Sequence, residues 1–291
     1  MRNSKLSQRE DGVKITVITV NFNNLNGLKR TIPSVLSQTY NQYEYIIVDG
    51  GSTDGSKEYI EQYSPLIDEW VSEPDKGVYN AMNKAIKMAH GEFCIFMNSG
   101  DHFYSPTVLD EVLPSLNDAD IYTGYTLRIG DKQVDIWAPP AELDMHFMMY
   151  DSLSHQATFT RTSILKERPF SEEYKIVSDW ESFFEAWYQQ KCKYQMLDST
   201  IAVYYLDGLS GNFDLWIKER KLVIKDILGK EAPSDYGNCI NVTQCLTSTQ
   251  MKRKKLFEQK IKSAMNLSPV SRDMKIMRNA FKCLIKDLLL K

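Results

Sequence analysis

The sequence predicts an α/β fold, a mostly parallel sheet with helices on both faces, and three observations carry that reading. Short runs of apolar and β-branched residues alternate with amphipathic segments in the order strand, helix, strand, helix, strand, helix, strand. The run Phe93–Met97 is continuously apolar, which suits a strand buried on both faces. Polar loops rich in Gly, Asp, Asn and Ser follow Val20, Val48 and Met97, at the carboxyl ends where open α/β sheets bind ligands.

"KITVITVNF" (14–22) is rich in β-branched residues and reads as the first core strand. "NNLNGLKRTIPSVLSQ" brings turn residues and then Leu28, Ile32, Val35 and Leu36 at helical spacing, against which Pro33 counts by removing a backbone donor. "YEYIIVDGGSTDGS" is a second strand entering a loop, "KEYIEQY" a second helix, and "IDEWVSEPDKG" a short third strand ending in a turn. "VYNAMNKAIKMAHG" places Val78, Met82, Ala85, Ile86 and Ala89 on one face and stops at Gly91. "FCIFM" is the fourth strand, broken by Asn98, Ser99, Gly100 and Asp101.

After Pro106 the alternation loosens. "DIYTGYTLRIG" and "QVDIWAPP" read as strands flanking a turn, "SHQATFTRTSIL" as a strand entering a helix, "DWESFFEAWYQQ" as a helix and "YQMLDSTIAVYYLDGLSG" as mostly extended. These readings divide the chain into a flexible leader (1–13), an α/β domain (14–210) and a mainly helical basic extension (211–291).

The chain has 291 residues, 43% hydrophobic and 25% charged, the profile of a soluble globular protein. No apolar leader and no run of about 18 apolar residues is present, so a cytosolic, non-spanning protein is expected. Five scattered cysteines without a C-x-x-C pair indicate neither a disulfide framework nor a zinc site. The net charge of −3 hides an asymmetry: from Leu246 onward twelve basic residues face three acidic ones. In "MKIMRNAFKCLIKDLLL", Met277, Phe281, Leu284, Ile285 and Leu288 line one helical face and lysines and arginine another. Such a helix suits an anionic membrane surface, and equally a contact with the catalytic domain or a second subunit. No nucleic-acid partner is expected.

Asp49 and Asp54 lie among glycines and serines in "VDGGSTDGS". Asp54 suits the cap of the next helix. Asp49, beside a buried strand end, suits a ligand. The loop lacks G-x-G-x-x-G and is not a P-loop, which argues against a dinucleotide enzyme or a phosphate-cradling ATPase.

Together "ITVITVNFNN", "SVLSQTYNQYEYIIVDGGSTDGS", "SEPDKGVYNAMNKAIKMAHGEFCIFMNSGD" and "SHQATFTR…FSEEYKIVSDWE" resemble the family-2 glycosyltransferases of GT-A fold, above all bacterial members that build capsular or exopolysaccharides. The likeness covers about residues 14 to 210. It implies transfer of a sugar, with inversion, from a nucleotide-diphosphate donor to a carbohydrate or lipid-linked acceptor. It also implies that Asp49 contacts the base, Asp75 lies beside the nucleoside, and Val20 and Asn21 lie against base and ribose. Ser154, His155 and Gln156 resemble the segment bordering the sugar and acceptor, and Asp179 the general base.

Sugar transfer needs charge stabilisation on the departing diphosphate and a base for the acceptor hydroxyl. Asp101 is the candidate ligand for Mg²⁺ or Mn²⁺ and Asp179 the candidate base, with Glu181 as the other possibility. Many relatives carry acidic residues where Asn98 and Gly100 stand, which leaves Asp101 alone and predicts metal binding that strengthens when donor arrives. Asn80 stands where an acidic residue is frequent, and Lys76 and Lys84 are within sequence reach of phosphates. Two rivals stay open: a sugar-phosphate nucleotidyltransferase, and a non-catalytic nucleotide-sugar binding module.

Overall fold

The computed structural model describes residues 12–130, 134–206 and 213–229. The flexible leader expected over residues 1–13 therefore lies almost wholly outside the described residues, and the expected basic extension lies outside them beyond residue 229, including the tail from Leu246. Among the described residues, one nine-stranded sheet organises the fold. Strands β1 (Ile15–Asn21), β2 (Glu44–Asp49), β3 (Glu69–Ser72) and β4 (Phe93–Phe96) form its parallel half, in the order β3-β2-β1-β4. The second half is mixed: β8 (Thr158–Arg161) runs antiparallel to β4 and to β6 (Ile121–Ile129), and β9 (Tyr194–Tyr205) pairs parallel to β6. β5 (His102–Phe103) and β7 (Val134–Trp137) add short antiparallel edges.

The parallel half obeys the period of two that buries both faces. Ile15, Val17, Tyr45, Ile47, Phe93 and Ile95 enter one core with helices α1 (Leu25–Leu36) and α2 (Ser56–Tyr63). Ile18, Val20, Ile46, Val48, Cys94 and Phe96 enter the opposite core with α3 (Val78–Met88) and α6 (Thr162–Glu167). Pro33 lies inside α1 without ending it. It is on the exposed face, where water can serve the carbonyl that lost its donor.

The short helices α4 (Val108–Val112) and α5 (Met145–Tyr150) and the strand β5 had no periodic signal, since two to six residues cannot display one. A third core gathers α5, α7 (Ser178–Tyr188) and α8 (Phe213–Leu228) around Trp180, Phe184, Met148, Val223 and Ile224. Helix α8 thus shares its core with the preceding domain.

Candidate functional site

Strand register builds the first part of the site. The pairing sets Asn21 beside Asp49 and Asp49 beside Ser72, so three polar residues stand in a row at the carboxyl edge of β1, β2 and β3. Asn21 Nδ2 donates to Asp49 Oδ1 at 2.7 Å and Ser72 Oγ to Oδ2 at 2.7 Å. Ser52 adds its hydroxyl at 2.6 Å and its backbone N–H at 3.0 Å. Burial by itself would raise the Asp49 carboxyl; the donors from Ser52, Ser72 and Asn21 outweigh it and hold the group below the usual range. Asp49 is buried and four donors surround it, so it shapes the loop in which the residues around it are presented.

Asp75 takes a different position. A Cβ built on Gly50 would lie 2.3 Å from Asp75 Oδ2 and 3.1 Å from the Phe22 ring. The absence of a side chain at residue 50 is what lets the β3–α3 loop fold over the β2 loop. Phe22 is 63% exposed there, a feature not picked out from the sequence, where a lone aromatic after a strand has no distinguishing pattern. Val20 is buried in the core below. Asp54 was expected to cap α2, but Gly55 holds the cap position; Asp54 stands one residue before it, accepts from Ser56 N at 3.1 Å and from Leu25 N at 2.8 Å, and so ties the starts of α2 and α1 together.

Helix α1 clamps the turn that carries Asp101. Asn24 caps α1 by accepting from Gly27 N and donates to Ser99 O at 2.8 Å. Thr31 Oγ1 donates to Asp101 O at 2.7 Å and accepts from Gly100 N at 3.0 Å. Gly27 is required: a Cβ there would lie 2.7 Å from Gly100 N. Asp101 is 7% exposed. Among the described residues no group of three or more His, Cys, Asp or Glu is placed to hold a metal. A lone carboxylate does not make a cage, yet it fits an octahedral ion whose remaining ligands are water and substrate phosphate.

A third segment meets this turn. His155 Nδ1 is 2.8 Å from Asp179 Oδ2, and His155 Nε2 is 3.3 Å from Asn98 Nδ2. The other oxygen of Asp179 accepts from Tyr79 OH at 3.1 Å and from Trp180 N at 2.9 Å. Burial alone would lower the His155 imidazole, but the hydrogen bond and charge of Asp179, with the charge of Asp101 behind them, raise it above its ordinary value. Burial, reinforced by the Asp179 charge, pushes the Tyr79 hydroxyl up, which keeps it a donor. The buried Asn98 Oδ1 has no hydrogen-bond partner. Turning the amide over lets that oxygen accept from a protonated Nε2, so Asn98 suits either state of the ring.

Glu181 points elsewhere. It accepts from Ser178 Oγ at 3.2 Å, and burial together with the charge of Glu185 pushes its carboxyl up to about 7. Gln156 is buried and accepts from Ser154 Oγ at 2.9 Å, an internal tie of its own turn. Lys84 pairs with Glu73 at 2.8 Å and donates to Pro74 O, so it secures the β3 loop. Asn80 accepts from Lys76 N and donates to Glu172, where a carboxylate would repel. Tyr79 and Asn98 had no sequence signal as partners of Asp179 and His155, because residues 79, 98, 155 and 179 meet only in the tertiary fold.

The description Glycosyl transferase family 2 matches residues 16–172, just over half of the chain. An uncharacterized glycosyltransferase of Mycobacterium tuberculosis is 41% identical over 104 residues, 35% of this chain and 40% of that one. A teichuronic acid biosynthesis glycosyltransferase of Bacillus subtilis, TuaG, is 33% identical over 123 residues, 40% of this chain and 48% of that one. The chain thus spans less than half the length of these two curated relatives. Staphylococcus aureus TarS 1-349, solved in complex with UDP-GlcNAc, superposes with a TM-score of 0.60 at 19% identity, covering 76% of this chain and 69% of that chain. The mannosyltransferase PcManGT of Pyrobaculum calidifontis, solved with GDP-Man and Mn²⁺, gives 0.56 at 13% identity, covering 100% and 93%. These likenesses show the fold, which is GT-A, and with the family match they establish that the chain belongs to glycosyl transferase family 2.

Proposed function

We propose that the protein transfers a sugar from a nucleoside-diphosphate donor to a hydroxyl of a carbohydrate or lipid-linked acceptor, with inversion, in the synthesis of a surface polysaccharide or glycolipid. One observation carries the reading: a single imidazole, His155, ties the turn of Asp101 to the carboxylate of Asp179 through Asn98. The site that would hold the diphosphate and the site that would deprotonate the acceptor are thereby set side by side. TuaG and the mycobacterial "PGL/p-HBAD biosynthesis" glycosyltransferases supply the polysaccharide and glycolipid context. UDP-GlcNAc on TarS and GDP-Man on PcManGT supply the donor class.

In this reading the nucleoside lies over the loops of Asn21, Asp49 and Asp75 above Val20, with the exposed Phe22 ring as a stacking surface. The acceptor oxygen attacks the anomeric carbon as the bond to the diphosphate oxygen breaks, and the hydroxyl proton passes to Asp179. Three donors already occupy that carboxylate, which leaves room for one more on a group with about four lone-pair sites. Asp179 fits the base better than Glu181, which faces Glu185 rather than His155. His155 and Gln156 border the acceptor side, His155 by holding Asp179 and Gln156 by holding its turn. Asp101 would hold Mg²⁺ or Mn²⁺ jointly with donor phosphates, and such an ion supplies charge neutralisation on the departing diphosphate.

No helix among the described residues is long and apolar enough to cross a membrane. We place the protein in the cytosol, with the basic tail from Leu246 against an anionic membrane that carries the acceptor. Failure of the full chain to sediment with anionic vesicles at low salt would overturn the membrane contact.

The test of the activity is a panel of nucleotide sugars, screened by thermal shift and then by release of nucleoside diphosphate, with and without Mn²⁺. A donor at a hundred times its dissociation constant adds about 2.7 kcal/mol of stability. Pyrophosphate release from a nucleoside triphosphate and a sugar phosphate would favour the nucleotidyltransferase instead. Donor binding without turnover across a broad acceptor panel would favour the binding module.

A further inference from the structure

Helix α8 lies beyond the segment matched by the family description, which ends at residue 172. Two consecutive buried charged residues on it reach the two segments that deliver His155 and Asp179. Glu219, 6% exposed, accepts the backbone N–H of Lys175 at 2.9 Å on one oxygen and that of Ile176 at 3.0 Å on the other. These amides stand just before α7, whose second residue is Asp179. Arg220, with no exposed surface, donates to Met148 O and Asp151 O at 2.9 Å each, the turn that leaves α5 toward His155.

The same guanidinium stacks on two indoles, its carbon 3.9 Å from the Trp180 ring centroid and 4.4 Å from that of Trp216. Trp180 follows Asp179 in sequence, donates its backbone N–H to that carboxylate, and sends its indole N–H to Met148 O at 2.8 Å. Asp226 of α8 adds a bond from Tyr174 OH at 3.3 Å. A bidentate carboxylate, and a planar guanidinium that stacks on aromatic rings while its Nη2 donates to two carbonyls, are directional contacts, unlike the surrounding apolar packing. An apolar pair would fill the same volume at lower desolvation cost, so packing alone does not account for the two charges.

We propose that Glu219 and Arg220 are positioning residues: α8 is a clasp that fixes the loop before Asp179 and the turn before His155 relative to each other, and so sets the His155–Asp179 pair. Neither side chain touches substrate in this account. The proposal rests on the reading of Asp179 as base only for its consequence on turnover; the clasp itself is a statement about the pair.

The full chain is the test object, because its four histidines make the ring N–H of His155 assignable by proton NMR through its loss in His155→Gln. Glu219→Gln turns one acceptor into a donor against a backbone N–H, and Arg220→Lys keeps the charge and loses the planar guanidinium face against Trp180 and Trp216. Each is expected to move the downfield His155 Nδ1–H signal toward the position of an unpaired ring. Each is also expected to cut turnover of bound donor about tenfold, with donor affinity within twofold of wild type. Leu222→Ser, at an exposed α8 position, should change none of these. A lowered melting temperature with the His155 signal unmoved in both variants, or in the one that folds, would overturn the clasp. A moved signal with undiminished turnover would instead indict the base reading, and Asp179→Asn with full activity would confirm that separate failure.

Discussion

The carboxyl edge of the parallel half and the α5–α7–α8 core are built in opposite ways. At the parallel edge, Asn21, Asp49 and Ser72 are neighbours because three strands pair in register, and each polar loop departs directly from its strand. In the helical core, His155 and Asp179 are brought together by contacts among α5, α7 and α8 that are far apart in sequence. The proposed donor side therefore depends on local hydrogen bonding and the proposed base side on tertiary packing. The family description covers the first whole, and of the second only α5 and His155; it ends at residue 172, before α7 and α8.

The largest expected effect separates the two sides cleanly. Asp179→Asn should lower transfer by about 10²–10⁴-fold, the usual worth of a positioned base, while donor affinity, measured by calorimetry, stays unchanged. Equal loss of both would erase the division. Next, Asp101→Asn should abolish the extra stabilisation that Mn²⁺ adds in the presence of a nucleoside diphosphate, read as a thermal shift. A metal-dependent shift that survives in this variant would remove Asp101 from the ion's ligands.

On the donor side, Asp49→Asn replaces an acceptor of four bonds and should cost on the order of 1.5–3 kcal/mol in urea unfolding, with donor affinity falling in step. Because the folded Asp49 carboxyl is held below its ordinary value, its contribution is present above about pH 4 and is lost as pH falls through the lowered value. Wild type should lose that increment in acid and the variant should not. A flat difference between the two across pH 2–5 would contradict the network.

The smallest effect belongs to the helical core. Glu181 is raised to about 7, so ionising it costs stability as pH climbs from its unfolded value through 7, and the stabilisation is complete only below the unfolded value. Glu181→Gln should therefore gain about 1 kcal/mol over wild type at pH 8, after allowance for solvent screening. At pH 4 the two should unfold at the same denaturant concentration. A stability gain at pH 4 equal to that at pH 8 would show that the effect is not electrostatic.

Much of the donor side was legible before any coordinates. The order of strands and the loops after Val20, Val48 and Met97 follow from patterns a few residues long, whereas the cap of α2 falls on Gly55 and not on Asp54. The role of Gly50 was half visible: a glycine signals close approach, yet only the fold shows that Asp75 and Phe22 make it. Pro33 weakened the reading of α1, because sequence does not tell which face of a helix a proline will occupy. Tyr79, Asn98, Glu219 and Arg220 look like ordinary helix or loop residues in the chain, and the hydrogen bonds that tie them into the site span 43 to 100 residues.

By itself, then, the sequence determined the α/β class, the parallel half and the polar loops at its carboxyl edge, because buried strands, turns and caps are short-range events with short-range signatures. Only the tertiary structure decided that Asp49 is enclosed by four donors, that His155 joins Asp179 to the turn of Asp101, and that α8 holds both segments in place. Those outcomes depend on which distant surfaces pack together, a choice made by the summed burial of three cores rather than by any one stretch of chain.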